Sequence, residues 1–154
     1  MGCDIHAFTE VKTPNGNWIC AHREGFADGV DPDYPEDGVR VTLDEMPHIN
    51  RHYALFGLLN SNVRCEFPFS FEERGFPDDA SFEVRSLYEY EDSDAHSASH
   101  LTLQELKQKA AELLISDVQD ARDGSSALAQ LVISQMPPHE GDPSDQRLVF
   151  WFDN

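Results

Sequence analysis

The chain has 154 residues and a mass of 17.4 kDa, with 40% apolar residues and ten Phe, four Tyr and two Trp, enough for one domain with a real core. Its 29 acids against 11 Lys and Arg give a formal net charge of −18. Such a surface repels phosphate backbones and anionic lipid, which excludes non-specific nucleic-acid binding and charge-driven membrane attachment.

From Cys3 to Val11 the residues alternate as in a strand, with Cys3, Ile5, Ala7, Thr9 and Val11 on one face. Pro14-Asn15-Gly16-Asn17 is turn chemistry, and Trp18 to Ala21 returns as the second arm of a hairpin. Residues 24–46 hold eight acids and only Arg40 among Pro and Gly, which predicts a solvated acidic loop; its Asp spacing does not match a calcium loop. The run from Pro47 to Asn60 predicts a helix with Asn50 as N-cap and His52, Leu55, Phe56 and Leu59 on one face. Between Pro47 and Cys65 there is no acid at all, while Arg51 and Arg64 contribute +2.

A Phe-rich stretch follows, and Asp79 or Ser81 can cap a short helix reaching about Tyr90. Residues 72–94 form a second acidic block with nine acids and two Arg. Thr102-Leu103-Gln104-Glu105 is a capping box that opens a helix. Its apolar stripe is Leu103, Leu106, Ala110, Leu113, Leu114, Ile115, Val118 and Ala121. Asp123-Gly124-Ser125 breaks it, and Ala127 to Met136 predicts another helix, stopped by Pro137-Pro138. Arg147 to Phe152 is apolar on both faces, which predicts a central strand. The expected fold is α+β: a single compact domain over 1–154, with a small, mostly antiparallel sheet and three to four helices.

The start of the chain lacks a basic region leading into an apolar run, so no secretory signal is expected. Met1-Gly2-Cys3 has His6 where a myristoylation pattern wants Ser or Thr. No run approaches the roughly 18–20 apolar residues of a membrane span. Cys3, Cys20 and Cys65 are odd in number and far apart, which fits reduced thiols in a cytoplasm.

Two constellations carry candidate chemistry, and neither assigns a catalytic residue. Asp4-Ile5-His6 and Asp94-Ala95-His96 are Asp-x-His pairs whose oxygen and nitrogen donors suit a divalent metal, with Asp4, His6, Asp94 and His96 as ligands. The plainer alternative is that Asp4 orients His6 and that residues 94–100 are a polar loop. Arg51, Tyr53, Arg64 and Arg74, with His96 and Ser97 as polar partners, can hold a small anion, because guanidinium groups bind phosphate and aromatic rings stack on a base. The plainer alternative there is an amphipathic core helix whose arginines pair with nearby acids.

The opening Met1-Gly2-Cys3-Asp4-Ile5-His6 resembles a family of uncharacterised bacteriophage and bacterial proteins. The similarity continues through Arg51-x-Tyr53-x-Leu55-Phe56, Val63-Arg64, Arg74-Gly75-x-Pro77-Asp78-Asp79-Ala80-Ser81 and Asp94-x-His96-Ser97. It extends to Leu101-Thr102-Leu103-x-Glu105-Leu106 and the terminal Val149-Phe150-Trp151-Phe152-Asp153-Asn154. Where the family often reads His-Ser-His-Ser-Trp, this chain has His96-Ser97-Ala98-Ser99-His100, so any second histidine ligand would have to be His100. The resemblance implies a phage protein of the host cytoplasm and carries no activity with it.

The expected function is therefore binding of a small anionic, nucleotide-like ligand, such as a signal of host immunity that a phage protein would sequester, in a homo-oligomer. The alternatives are a metal-dependent hydrolase on the Asp and His ligands and an acidic mimic of nucleic acid that occupies a host protein.

Overall fold

A computed structural model describes residues 2–21, 52–63, 69–90, 94–120 and 125–153. The first strand, β1 (Asp4–Lys12), turns at Gly16, whose φ of +85° suits glycine, and returns as β2 (Trp18–Cys20). Thr13 N–H to Asn17 O at 2.8 Å and Gly16 N–H to Thr13 O at 2.9 Å close the hairpin. Helices α1 (Tyr53–Leu59) and α2 (Phe82–Tyr90) follow, then β3 (His96–Thr102), α3 (Leu103–Asp120), α4 (Ser125–Gln135) and β4 (Gln146–Asp153). The sheet order is β2-β1-β4-β3, antiparallel throughout. The α+β architecture expected from the sequence is thus present, with β4 inside the sheet as its two apolar faces require.

Strand parity sorts the core into two layers. Ile5, Ala7, Leu101, Leu148, Phe150 and Phe152 face Leu55, Phe56 and Leu59 of α1, Leu103 and Leu106 of α3, Val132 of α4 and Met136 just after it. Phe8, Ala98, Val149 and Trp151 face the other way, against Val84, Leu87 and Tyr88 of α2 and Phe76 before it. A smaller cluster of Leu58, Ala110, Leu113 and Ala129 binds α1, α3 and α4 to one another.

The caps follow sequence logic with one adjustment, at the start of α1. The capping box forms: Glu105 N–H donates to Thr102 Oγ1 and Thr102 N–H to Glu105 Oε1, both at 3.1 Å. Ser81, rather than Asp79, caps α2, accepting the Val84 N–H at 3.3 Å. His52 does not share the apolar face of α1; its Nδ1 accepts the Leu55 N–H at 3.3 Å as the N-cap. Asn50 and the acidic loop 24–46 lie outside the described residues. On α3, Leu103, Leu106, Ala110 and Leu113 are buried, whereas Leu114, Ile115 and Val118 are exposed. The predicted stripe was wider than the face that packs, because position 115 falls on the opposite side of the helix from 106, 110 and 113, and 114 and 118 fall on its flank.

Strand β3 is the element that residue pattern alone missed. The sequence His96-Ser97-Ala98-Ser99-His100 offers almost no apolar alternation. It pairs with β4 nonetheless, with a register shift between His96 and Ser99. Its outer edge is covered by the segment after α1. Asn60 Nδ2 donates to Ser97 O at 2.9 Å, and Arg74 Nη1 to His100 O at 3.2 Å. Covering an edge in this way removes a template for pairing with another chain.

Candidate functional site

The irregular start of β3 builds the first cluster. Ser97 has φ 56°, the one positive φ outside glycine among the described residues. A serine there is strained by contact of its Cβ with the backbone. The conformation is fixed from outside by Asn60, which is fully buried and whose Nδ2 also donates to Glu73 Oε1 at 3.0 Å. The bulge turns Ser97 Oγ toward the neighbouring His96 Nδ1, 3.0 Å away. His96 lies opposite Phe152 and stacks on it with ring centroids 6.2 Å apart. Phe152 meets Phe56 at 5.1 Å, and Phe56 meets Tyr53 at 5.7 Å. A row of rings therefore joins Tyr53 at the start of α1 to His96 on β3, and all the partly exposed members are at its two ends.

Of the residues expected to bind an anion, His96 and Ser97 are in contact, and Tyr53 is connected to them only through the rings of Phe56 and Phe152. Arg51 and Arg64 lie outside the described residues. Arg74 stands apart from the three. Its guanidinium grips the Glu105 carboxylate through both Nη atoms, and its backbone N–H donates to Ser99 Oγ at 3.0 Å. This hydrogen bond with Glu105 raises the guanidinium pKa further and, with the Thr102 backbone, holds the Glu105 carboxyl down at about 2. Arg74 anchors the edge-covering segment to the cap of α3.

The two Asp-x-His pairs do not converge. His6 is opposite Trp151 and Asp4 opposite Asp153, on the α2 side of the sheet. His96 is opposite Phe152, which faces the other helices. Residues directly opposite share a face, so the sheet itself separates the two histidines. His6 Nε2 lies 2.9 Å from Asp153 Oδ2, and its ring stacks on Trp151 at 5.7 Å. Asp94 is exposed in the turn before β3. Among the described residues no group of three or more His, Cys, Asp or Glu is placed to hold a metal ion.

A second cluster, which sequence reasoning missed, lies on the α2 side at the far end of the sheet. Glu10 and Arg147 are opposite each other on β1 and β4. Arg147 Nε donates to Glu10 Oε1 at 2.7 Å and Nη1 to Asp79 Oδ1 at 2.9 Å. The other Glu10 oxygen accepts the Ser81 N–H at 2.6 Å. Trp18 lies flat against the guanidinium, 4.1 Å from its central carbon to the ring. Burial alone would raise the Asp79 carboxyl, but the Arg147 bond and charge, with help from the Trp18 side chain, bring it below its usual value. His100 is next on the same face; burial first, then the charges of Arg147 and Arg74, push its pKa down. The legible hint was a charged residue at Glu10 and at Arg147 inside segments that read as strands, where a buried charge demands a partner.

The fold and its clusters define a four-stranded antiparallel sheet with helices on both faces. In comparison with known proteins the chain matches no family model, no curated protein and no solved structure. No helix among the described residues is long and apolar enough to cross a membrane.

Proposed function

We propose that this chain binds and sequesters a small anionic ligand of nucleotide type along the row of rings that runs from Tyr53 to His96 and its neighbour Ser97. The observation that carries this reading is Ser97 at φ 56°, held in place by the buried Asn60 at a bulge of an edge strand. Strain of this kind persists only where the surroundings impose it, and bulges re-aim side chains at functional positions. The half-exposed rings of Tyr53 and His96 offer stacking surfaces for a base, and Ser97 Oγ offers a hydrogen bond. Arg51 and Arg64 flank α1 in the acid-free stretch 47–65 and supply the charge that a phosphate needs.

On the resemblance to bacteriophage proteins, the ligand is a signal of host immunity and the setting is the host cytoplasm. Sites of this type commonly lie between subunits, so the proposal extends to a homo-oligomer. The test is an NMR titration with mononucleotides and cyclic dinucleotides. Resonances of Tyr53, His96 and Ser97 should move together, and His96→Ala should abolish the response. Shifts confined to residues elsewhere would refute the assignment.

A further inference from the structure

The buried arginine has one group unused. The Arg147 side chain is 5% exposed, gives Nε to Glu10 and Nη1 to Asp79, and leaves Nη2 buried with no hydrogen-bond partner among the described residues. A buried N–H of a charged group ordinarily finds an acceptor. The shape of the gap is informative. An oxyanion meeting a guanidinium end-on satisfies both Nη groups with two oxygens. Asp79 supplies one oxygen to one of them, and its side chain is 68% exposed.

We propose that the Nη1–Nη2 edge of Arg147 is a receptor for a phosphate or carboxylate group of a small ligand, with Asp79 as the internal plug that this group displaces. The surroundings suit the exchange. The Trp18 indole, which packs over the Arg147 guanidinium, carries an N–H donor into the neighbourhood of Asp79. Its ring stays against the guanidinium and fixes the plane of the fork. His100 lies on the same sheet face, one strand over and diagonal to Arg147, and its ring makes no hydrogen bond among the described residues. The charge balance is preserved: Glu10 still neutralises Arg147, Glu105 still neutralises Arg74, and the oxyanion brings in what Asp79 takes out. Because the Asp79 side chain is largely in solvent, its release needs a rotation of that side chain and no change in the strands. The site lies on the opposite face of the sheet from His96 and does not depend on the function proposed above.

The experiment is a titration of the full chain with inorganic phosphate and, separately, acetate. It is followed through the Trp18 indole N–H and the Arg147 side-chain resonances in wild type, Asp79→Ala and His96→Ala. Phosphate, acetate or both should move both sets of resonances. Asp79→Ala should bind about tenfold more tightly, since the competing internal state is removed, and His96→Ala should bind as wild type does. Response to one probe alone assigns the receptor to that oxyanion. No response to either probe, or equal affinity in Asp79→Ala, would overturn the proposal. So would a crystal grown with phosphate that shows only a water on Nη2 with Asp79 in place. Asp79→Ala alters an exposed side chain, so the comparison does not hinge on a variant that fails to fold.

Discussion

Glu10 and Arg147 face each other across β1 and β4 and meet at 2.7 Å, with Glu10 wholly out of solvent and Arg147 nearly so. Each is charged and buried within the sheet, and each is the other's buried counter-charge. Through Ser81 and Asp79 the pair also ties the start of α2 to the sheet. It is the one place where the two halves of the described chain are joined by charge inside the core.

Removing one partner strands the other. Glu10→Ala should destabilise the protein by about 3–5 kcal/mol, because the buried guanidinium is left with only the exposed Asp79 as counter-charge. Glu10→Leu combined with Arg147→Met should recover most of that loss. Denaturant unfolding of the two single variants and the double variant measures it. The exposed Asp79 should matter far less, with Asp79→Asn within about 1 kcal/mol of wild type.

Glu105 gives stability a defined acid dependence. Hydrogen bonding to Arg74 and to the Thr102 backbone holds its carboxyl at about 2, below its ordinary 4.5. A depressed carboxyl contributes stability that is complete above the ordinary value and is lost as pH falls toward the folded one. The wild type should therefore lose stability between pH 4.5 and pH 2 more steeply than Glu105→Gln, which keeps the capping geometry without the charge. Unfolding curves taken across that interval compare the two slopes.

Much of this architecture was legible in the sequence, for physical reasons. Alternation in β1, the Asn15-Gly16 turn, the two-faced apolar run of β4 and the Thr102–Glu105 box each encode local structure at short range. What was illegible is set by distant partners. Strand β3 is polar and is held by β4, Asn60 and Arg74 rather than by its own pattern. Arg74 looked available for a ligand because the sequence does not show that Glu105, 31 positions on, takes its guanidinium. The convergence of Asp4, His6, Asp94 and His96 failed on parity, which is fixed only when register is known. The contact of His96 with Ser97 is one of chain neighbours, Tyr53 reaches them only through Phe56 and Phe152, and the strain at Ser97 needed backbone angles to be seen.

The two faces of α3 should respond differently to truncation. Leu113→Ala removes a buried side chain and should cost about 2–5 kcal/mol. Leu114→Ala and Val118→Ala, on exposed positions, should stay within about 0.5 kcal/mol. Thermal or chemical unfolding of the three variants separates the faces directly.

Ser97→Gly should uncouple stability from binding. Glycine accepts a positive φ without the Cβ clash, so the variant should gain up to about 1 kcal/mol. It also deletes the hydroxyl beside His96, and nucleotide binding should weaken as the fold strengthens. Melting curves with and without ligand read both effects in one experiment.

The most direct test of the binding function is a thermal-shift panel of nucleotides and cyclic dinucleotides on the wild type and on His96→Ala. At least one member should raise the melting temperature of the wild type by several degrees and leave that of His96→Ala unmoved. Unchanged melting across the whole panel, or an equal rise in the variant, would contradict the account.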